Sequence, residues 1–287
     1  MQNKIVKCNN FNSSNLNFKE PIESDKSKGQ RISFPSYEGE GKPPPIIRLP
    51  EIYIEMYGIP DLSVHITNDS QRAHVKLPLN QEDPKIKELS DFLKKLDDKF
   101  GSDEYKNKLF GTKAKKYTYN KLFKEPIEDE DDDNPKKSKV KKLPYMKIKL
   151  HIDYETNKVN TGIILVPQDK TDDLTIVQNI HTIDDLKKYI CYQCKIEGIV
   201  KVLKLWALAP NIKDPTYGVS LRLIKAKIKM PPKLNNSDNK EFVHSIEGFE
   251  DSDEEDVLEK EDEEDKVAND DDDDDDDEEE QNDMKER

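Results

Sequence analysis

The sequence predicts a mainly β protein. It would hold a single antiparallel barrel with inserted helices, a flexible N-terminal arm and an acidic, disordered C-terminal tail. Three observations lead there. Segments with two-residue alternation of apolar side chains recur along the chain, as in Ile52, Ile54 and Met56. No strand–helix–strand rhythm links them, so no parallel sheet is expected. The last two alternating segments are long, and one contains Gly198, where a bulge would bend it as barrel closure requires.

The elements follow in order. Residues 1–45 are rich in Asn, Ser, Lys and Pro and end in "GKPPP", which reads as a flexible arm with one short extended piece near "RISFPSY". The folded domain is expected over 46–232. "IIRLPEIYIEMYG" alternates and is closed by Gly58 and Pro60. "LSVHIT" repeats the pattern with Leu62, Val64 and Ile66, and "HVKLPL" with Val75, Leu77 and Leu79. Asp83 and Pro84 open a helix in which Ile86, Leu89, Phe92, Leu93, Leu96 and Phe100 recur at helical spacing. A second helix over 103–110 is capped by Ser102 and stopped by Gly111. Residues 125–142 hold "EDEDDD" and "PKKSKVKK" and read as a charged internal loop. "YMKIKLHID" and "TGIILVP" are strands. Thr182 and Asp185 stand at capping-box spacing before a short helix. "CKIEGIVKVLKLWAL" and "VSLRLIKAKIK" are the long strands, and "MPPK" ends the fold. Residues 233–287 form the tail.

Charge is partitioned along the chain. The formal net charge is −14, from 61 acids and 47 bases. Residues 236–287 hold 28 of the acids and 5 of the bases, so the tail carries −23. The remaining 33 acids and 42 bases give residues 1–235 a net charge of +9. A basic body with an acidic tail points to nucleic acid or to a tail that contacts partners.

Several classes are disfavoured. The start "MQNKIVKCNN" has no apolar signal core, and no apolar run is long enough to cross a membrane. Three cysteines without a secretion signal suit a reducing compartment. No phosphate-binding glycine loop, HExxH or GxSxG occurs. The expectation is a protein that is not an enzyme. "CYQC" (Cys191, Cys194) is a single CxxC. Zinc asks for four ligands, and a thioredoxin-like site asks for a βαβ setting. The pair reads as two small thiols at a helix-to-strand joint, and neither metal nor cofactor is expected.

Two segments could hold a nucleic acid. In "KAKKYTYNKLFK", Lys113, Lys115, Lys116, Lys121 and Lys124 could follow a phosphate backbone. Tyr117, Tyr119 and Phe123 could stack on bases or simply be core. In the final strand pair, Lys201 and Lys204 precede Trp206, while Arg222, Lys225, Lys227 and Lys229 line the partner strand. A Lys/Arg face with an aromatic suits a strand-following groove, because every nucleotide has a charge and every base a π-face. The alternative is a solvated face with Trp206 plugging the barrel.

The stretch "VKVLKLWALAPNIKDPTYGVSLRLIKAKIK" resembles the last hairpin of the OB-fold single-stranded DNA-binding proteins of nucleocytoplasmic large DNA viruses, mimivirus-like members included. These are distant relatives of phage replicative single-strand binders with acidic tails. The matching features are Trp206, the pair Tyr217–Gly218, and Lys225, Lys227 and Lys229. "IRLPEIYIEMYGI", "LSDFLKKLDDKF" and "YMKIKL" stand in the family's order. The resemblance spans roughly residues 46–230. It implies an OB-like barrel that coats single-stranded DNA in replication, recombination or repair. The implied contacts are residues 113–124, Lys147, Lys149, Lys201, Lys204, Trp206, Tyr217, Arg222 and the three C-terminal lysines. The implied partners are single-stranded DNA, viral replication proteins met through the tail, and a second copy of the chain. The implied places are the viral replication site in host cytoplasm and the virion, with no membrane and no secretion. A second class stays open, in which the tail itself binds basic proteins as a chaperone or virion packing factor.

Overall fold

The computed structural model describes residues 5–24, 27–126, 142–153, 156, 158–167 and 174–231. The predicted tail and most of the predicted charged loop lie outside the described residues.

The N-terminal segment departs from expectation. It supplies β1 (Ile5–Lys7) and β2 (Ser27–Ser33) to the main sheet. Phe11, Leu16 and Phe18 are buried in the core. Phe11 meets Phe92 edge-on at 5.7 Å, and Phe18 meets Phe100 at 5.3 Å. The Phe18 amide donates to the Tyr105 hydroxyl at 2.8 Å, and Lys99 Nζ donates to the carbonyls of Ser13 and Ser14 at 3.0 Å. Residues 5–37 are therefore largely docked, not a loose arm. The anchors carry no helical or strand period, so composition hid them.

β3 (Ile46–Tyr53) ends earlier than its alternation suggests and pairs parallel with β1. The expected strand at Leu62, Val64 and Ile66 does not form. Residues 61–73 make turns instead, held by Ser63 and by the Gln71 side chain accepting from Thr67. Val64 is 86% exposed, so the alternation had no buried face to serve. β4 (His74–Pro78) forms as expected, and all five residues are buried.

α1 (Pro84–Gly101) opens with Asp83 accepting from the Lys85 amide at 2.8 Å and buries the six apolar positions of its periodic face. α2 (Asp103–Phe110) is capped by Ser102. A 3-10 turn over Gly111–Lys116 leads to β5 (Thr118–Asn120) and β6 (Phe123–Lys124). Then come β7 (Tyr145–Leu150), β8 (Gly162–Val166), β9 (Thr175–Val177) and α3 (Ile183–Lys187). Both hydrogen bonds of the α3 capping box, between Thr182 and Asp185, are made. β10 (Lys195–Leu208) and β11 (Thr216–Lys229) complete the sheet.

The central order is β1-β3-β10-β11-β7-β4. β10 and β11 are antiparallel along nearly their whole length, with register shifts at Ile199/Val200 and Val202/Lys204. Gly198 sits at the irregularity between β10 and β3, where a Cβ would come within 3.3 Å of both Leu223 and Leu49. Each long strand changes neighbours along its length. β10 pairs with β3 and then β2, while the outer side of β11 meets β5, β7 and β8 in turn. Long bent strands with such handovers curl the sheet into a half-barrel, with α1 packed against it.

The fold is mainly β, but its pairing is mixed. β11 runs parallel to β5, β7 and β8, so the expectation of no parallel pairing is corrected. A parallel neighbour needs a long crossover, and the chain between these strands and β11 supplies it without a repeating βαβ unit.

Candidate nucleic-acid interface

One face of the sheet packs on the core through Val200, Leu205, Ala207, Tyr217, Leu221 and Leu223. Side chains alternate between faces along a strand, so the intervening residues share the other face. Its registers place bases side by side. His74 pairs with Lys149, Lys149 with Arg222, and Arg222 with Lys201, a row across β4, β7, β11 and β10. In the next row Lys76 pairs with Lys147 and Ser220 with Lys204, and the β7–β11 register sets Lys147 level with Ser220. Six bases on four adjacent strands thus share one face, with Lys76 itself buried and its Nζ over the Tyr145 ring at 5.3 Å, and no acid stands in either row.

Lys201 and Arg222 make no ion pair among the described residues, and the buried Arg222 Nε has no hydrogen-bond partner there. Lys204 Nζ donates to Gln30 at 3.0 Å. His151 lies beside the first row. Burial lowers its pKa first, and the charges of Arg222 and Lys201 lower it further.

The patch opens into a small cleft of about 60 Å³. Lys147, Lys149 and Trp206 line it, together with Lys121 of the segment joining β5 to β6 and Lys124 of β6. Asp97 of α1 fixes that segment. Its carboxylate accepts from the amides of Leu122 at 2.7 Å and Phe123 at 2.9 Å, and from the Tyr119 hydroxyl at 3.0 Å. Burial raises the Asp97 pKa, and these bonds oppose the rise.

Trp206 is not a plug. Its strand neighbours Leu205 and Ala207 belong to the core, whereas Trp206 lies on the basic face over Gly218. A Cβ at Gly218 would stand 2.9 Å from the indole ring and 3.2 Å from the Asn120 carbonyl, so only glycine lets the ring lie flat across β11. Trp206 is 5% exposed and lines the cleft by its edge.

The structure divides the residues singled out from sequence. Lys121, Lys147, Lys149, Lys201, Lys204, Trp206 and Arg222 come together. Tyr117, Tyr119 and Tyr217 go elsewhere. Tyr117 stacks on Phe110 at 3.8 Å and donates to the Leu208 carbonyl. Tyr217 is fully buried and donates to the Phe100 carbonyl at 2.5 Å. Tyr119 packs against it at 5.1 Å. Burial raises the pKa of all three. They are core rings, not base-stacking platforms. Phe123 is buried too, under Lys94 Nζ at 4.3 Å.

Lys113, Lys115 and Lys116 are exposed on the 3-10 turn and do not line the cleft. Lys225, Lys227 and Lys229 lie at the far end of β11, where acids intervene. Lys229 and Lys195 share Glu51, Glu197 pairs with Arg48, and Lys227 stands opposite Glu197. Sequence reading missed His74 and Lys76. Their signal was alternation with Val75 and Leu77, which puts them on the face opposite the core.

Among the described residues no cluster of three or more His, Cys, Asp or Glu is placed to hold a metal, and no helix is long and apolar enough to cross a membrane.

Fold and face together define a curled β protein with a basic patch on the outer side of its sheet. No protein-family model matches the chain. It is 28% identical over 240 residues to an uncharacterized protein, R505, of Acanthamoeba polyphaga mimivirus. The match takes in 74% of this chain and 57% of that protein, so the chain spans little more than half of its relative's length.

Proposed function

We propose that the protein binds single-stranded DNA along the basic face, as a non-enzymatic factor of a large DNA virus in replication, recombination or repair. The observation that carries this reading is the pair of cross-strand rows joining His74, Lys149, Arg222 and Lys201, and Lys76, Lys147 and Lys204. Concentrated positive charge draws a polyanion, and a curled face suits a flexible strand better than a rigid duplex. Trp206 and the rim lysines would border the strand's path. The tail, with its net −23, competes for the same face and presents itself to basic partner proteins when DNA displaces it.

The test is titration of the chain with single- and double-stranded oligonucleotides at two salt concentrations. Five engaged bases, with the buried Lys76 left out, predict that log K falls against log salt with a slope of about −3.5. Lys149→Ala and Arg222→Ala should each flatten the slope by somewhat under one. Equal or absent binding to both forms, or a slope insensitive to these changes, overturns the reading.

The tail's charge also favours a second reading, in which it binds basic proteins as a chaperone or virion component. A basic protein would then bind the full chain and lose affinity when residues 236–287 are removed.

A further inference from the structure

We propose that Cys191 and Cys194 form a reversible dithiol–disulfide site that exchanges with low-molecular-weight disulfides. The sequence suggests inert thiols at a helix-to-strand joint, and the joint is where they lie, between α3 and β10. The structure adds three observations.

The first is reach. The Cys194 amide donates to the Cys191 carbonyl at 3.2 Å, and Gln193 between them takes a left-handed φ of 64°. Such a turn holds its end Cα atoms within about 7 Å, and disulfides span roughly 4.4–6.8 Å. The second is support. The Gln193 amide donates to the Ile54 carbonyl at 2.7 Å, and the Ile54 amide donates to the Cys194 carbonyl at 2.9 Å. The turn is thereby clamped on the end of β3, so closing a bond across it asks little of the backbone.

The third is asymmetry. Cys191 is half-buried, while Cys194 is fully buried. The neighbouring Cys194 thiol favours the thiolate of Cys191 and lowers its pKa against the opposing effect of burial. The same pairing, with burial, pushes Cys194 well above the ordinary thiol range. One sulfur is thus the more accessible and the readier to ionise, and the other is a thiol held behind it. That division suits thiol–disulfide exchange, in which the thiolate attacks and a second thiol resolves.

The steps balance. The Cys191 thiolate attacks one sulfur of the small disulfide, a mixed disulfide forms, and a small thiolate leaves. Cys194 then attacks the Cys191 sulfur and gives up its proton to the departing thiolate. The protein loses two electrons in closing the Cys191–Cys194 bond, and the small disulfide gains them as two thiol products. Cys8, the third cysteine, is buried and its thiol is raised by that burial, so it serves as an internal control.

The test treats the reduced full-length chain with glutathione disulfide at neutral pH, followed by acid quench, alkylation and peptide mapping by mass spectrometry. An internal Cys191–Cys194 disulfide should form, reversed by dithiothreitol. Cys194→Ser should instead accumulate a glutathione adduct on Cys191, and Cys191→Ser should leave Cys194 unmodified. In the unaltered chain, Cys191 should alkylate about tenfold faster than Cys8, with a midpoint below that of an ordinary thiol. If the unaltered chain forms no internal disulfide, or Cys191 reacts no faster than Cys8, the proposal fails whatever the variants do.

Discussion

At the scale of single residues, Gly218 decides how Trp206 is presented. The indole lies across β11 only because position 218 has no Cβ. Gly218→Ala should push the ring off the strand and destabilise the fold by about 1–3 kcal/mol, read as a lower urea midpoint. Trp206 is the single tryptophan, so its emission reports the same displacement without interference. His151 supplies a second residue-scale prediction. Burial, Arg222 and Lys201 all favour its neutral form in the free protein. A bound phosphate would offset the two positive charges and favour the imidazolium, so the His151 pKa should rise on binding. By linkage, binding then takes up protons and strengthens as pH falls through the interval between the free and bound values. NMR titration of the imidazole with and without oligonucleotide checks the direction. An unchanged or lowered pKa would place the DNA away from this row.

At the scale of elements, the N-terminal segment is the main departure. Phe18 is buried against Phe100, and its amide is bonded to Tyr105. Phe18→Ala should cost about 3–5 kcal/mol in chemical unfolding, whereas a residue of a free arm would cost almost nothing. What was legible was periodic. α1 follows from its apolar spacing, β10 and β11 from alternation, the bend at Gly198 from a glycine inside a long strand, and the α3 cap from Thr182 and Asp185. What was hidden was not local. Phe11, Leu16 and Phe18 dock at irregular spacing, and Leu62, Val64 and Ile66 alternate without a face to bury. The parallel pairing of β11 depends on crossovers that leave no periodic mark. The candidate site divides in the same way. Alternation put the lysines on one face, but nothing local told Tyr117, Tyr119 and Tyr217 apart from stacking rings. Their fate was set by α1 and α2, which cover them. His74 and Lys76 carry no signal of their own, because the alternation of β4 marks only the apolar face of Val75 and Leu77.

At the scale of the whole molecule, charge is the organising variable. Removing the −23 of residues 236–287 leaves a chain of +9. In the proposed competition, a tethered tail would act at an effective concentration of order millimolar and stand in for the salt-sensitive phosphate contacts. Deleting it should tighten binding of single-stranded DNA, most strongly at low salt. An unchanged affinity would remove the tail from the competition.

The place of β11 in the sheet has a consequence for how the chain is made. Every strand that meets β11 is synthesised before it: β5, β7, β8 and β10 all leave the ribosome with one hydrogen-bonding edge still waiting. The early segments cannot mature one by one, because their shared neighbour arrives last among the described elements. Folding should therefore be late and cooperative, with the slow rates of topologies rich in distant contacts. Nascent chains halted before Thr216 should stay protease-sensitive and prone to associate through their open edges, and chains extended past Lys229 should become resistant in a single step.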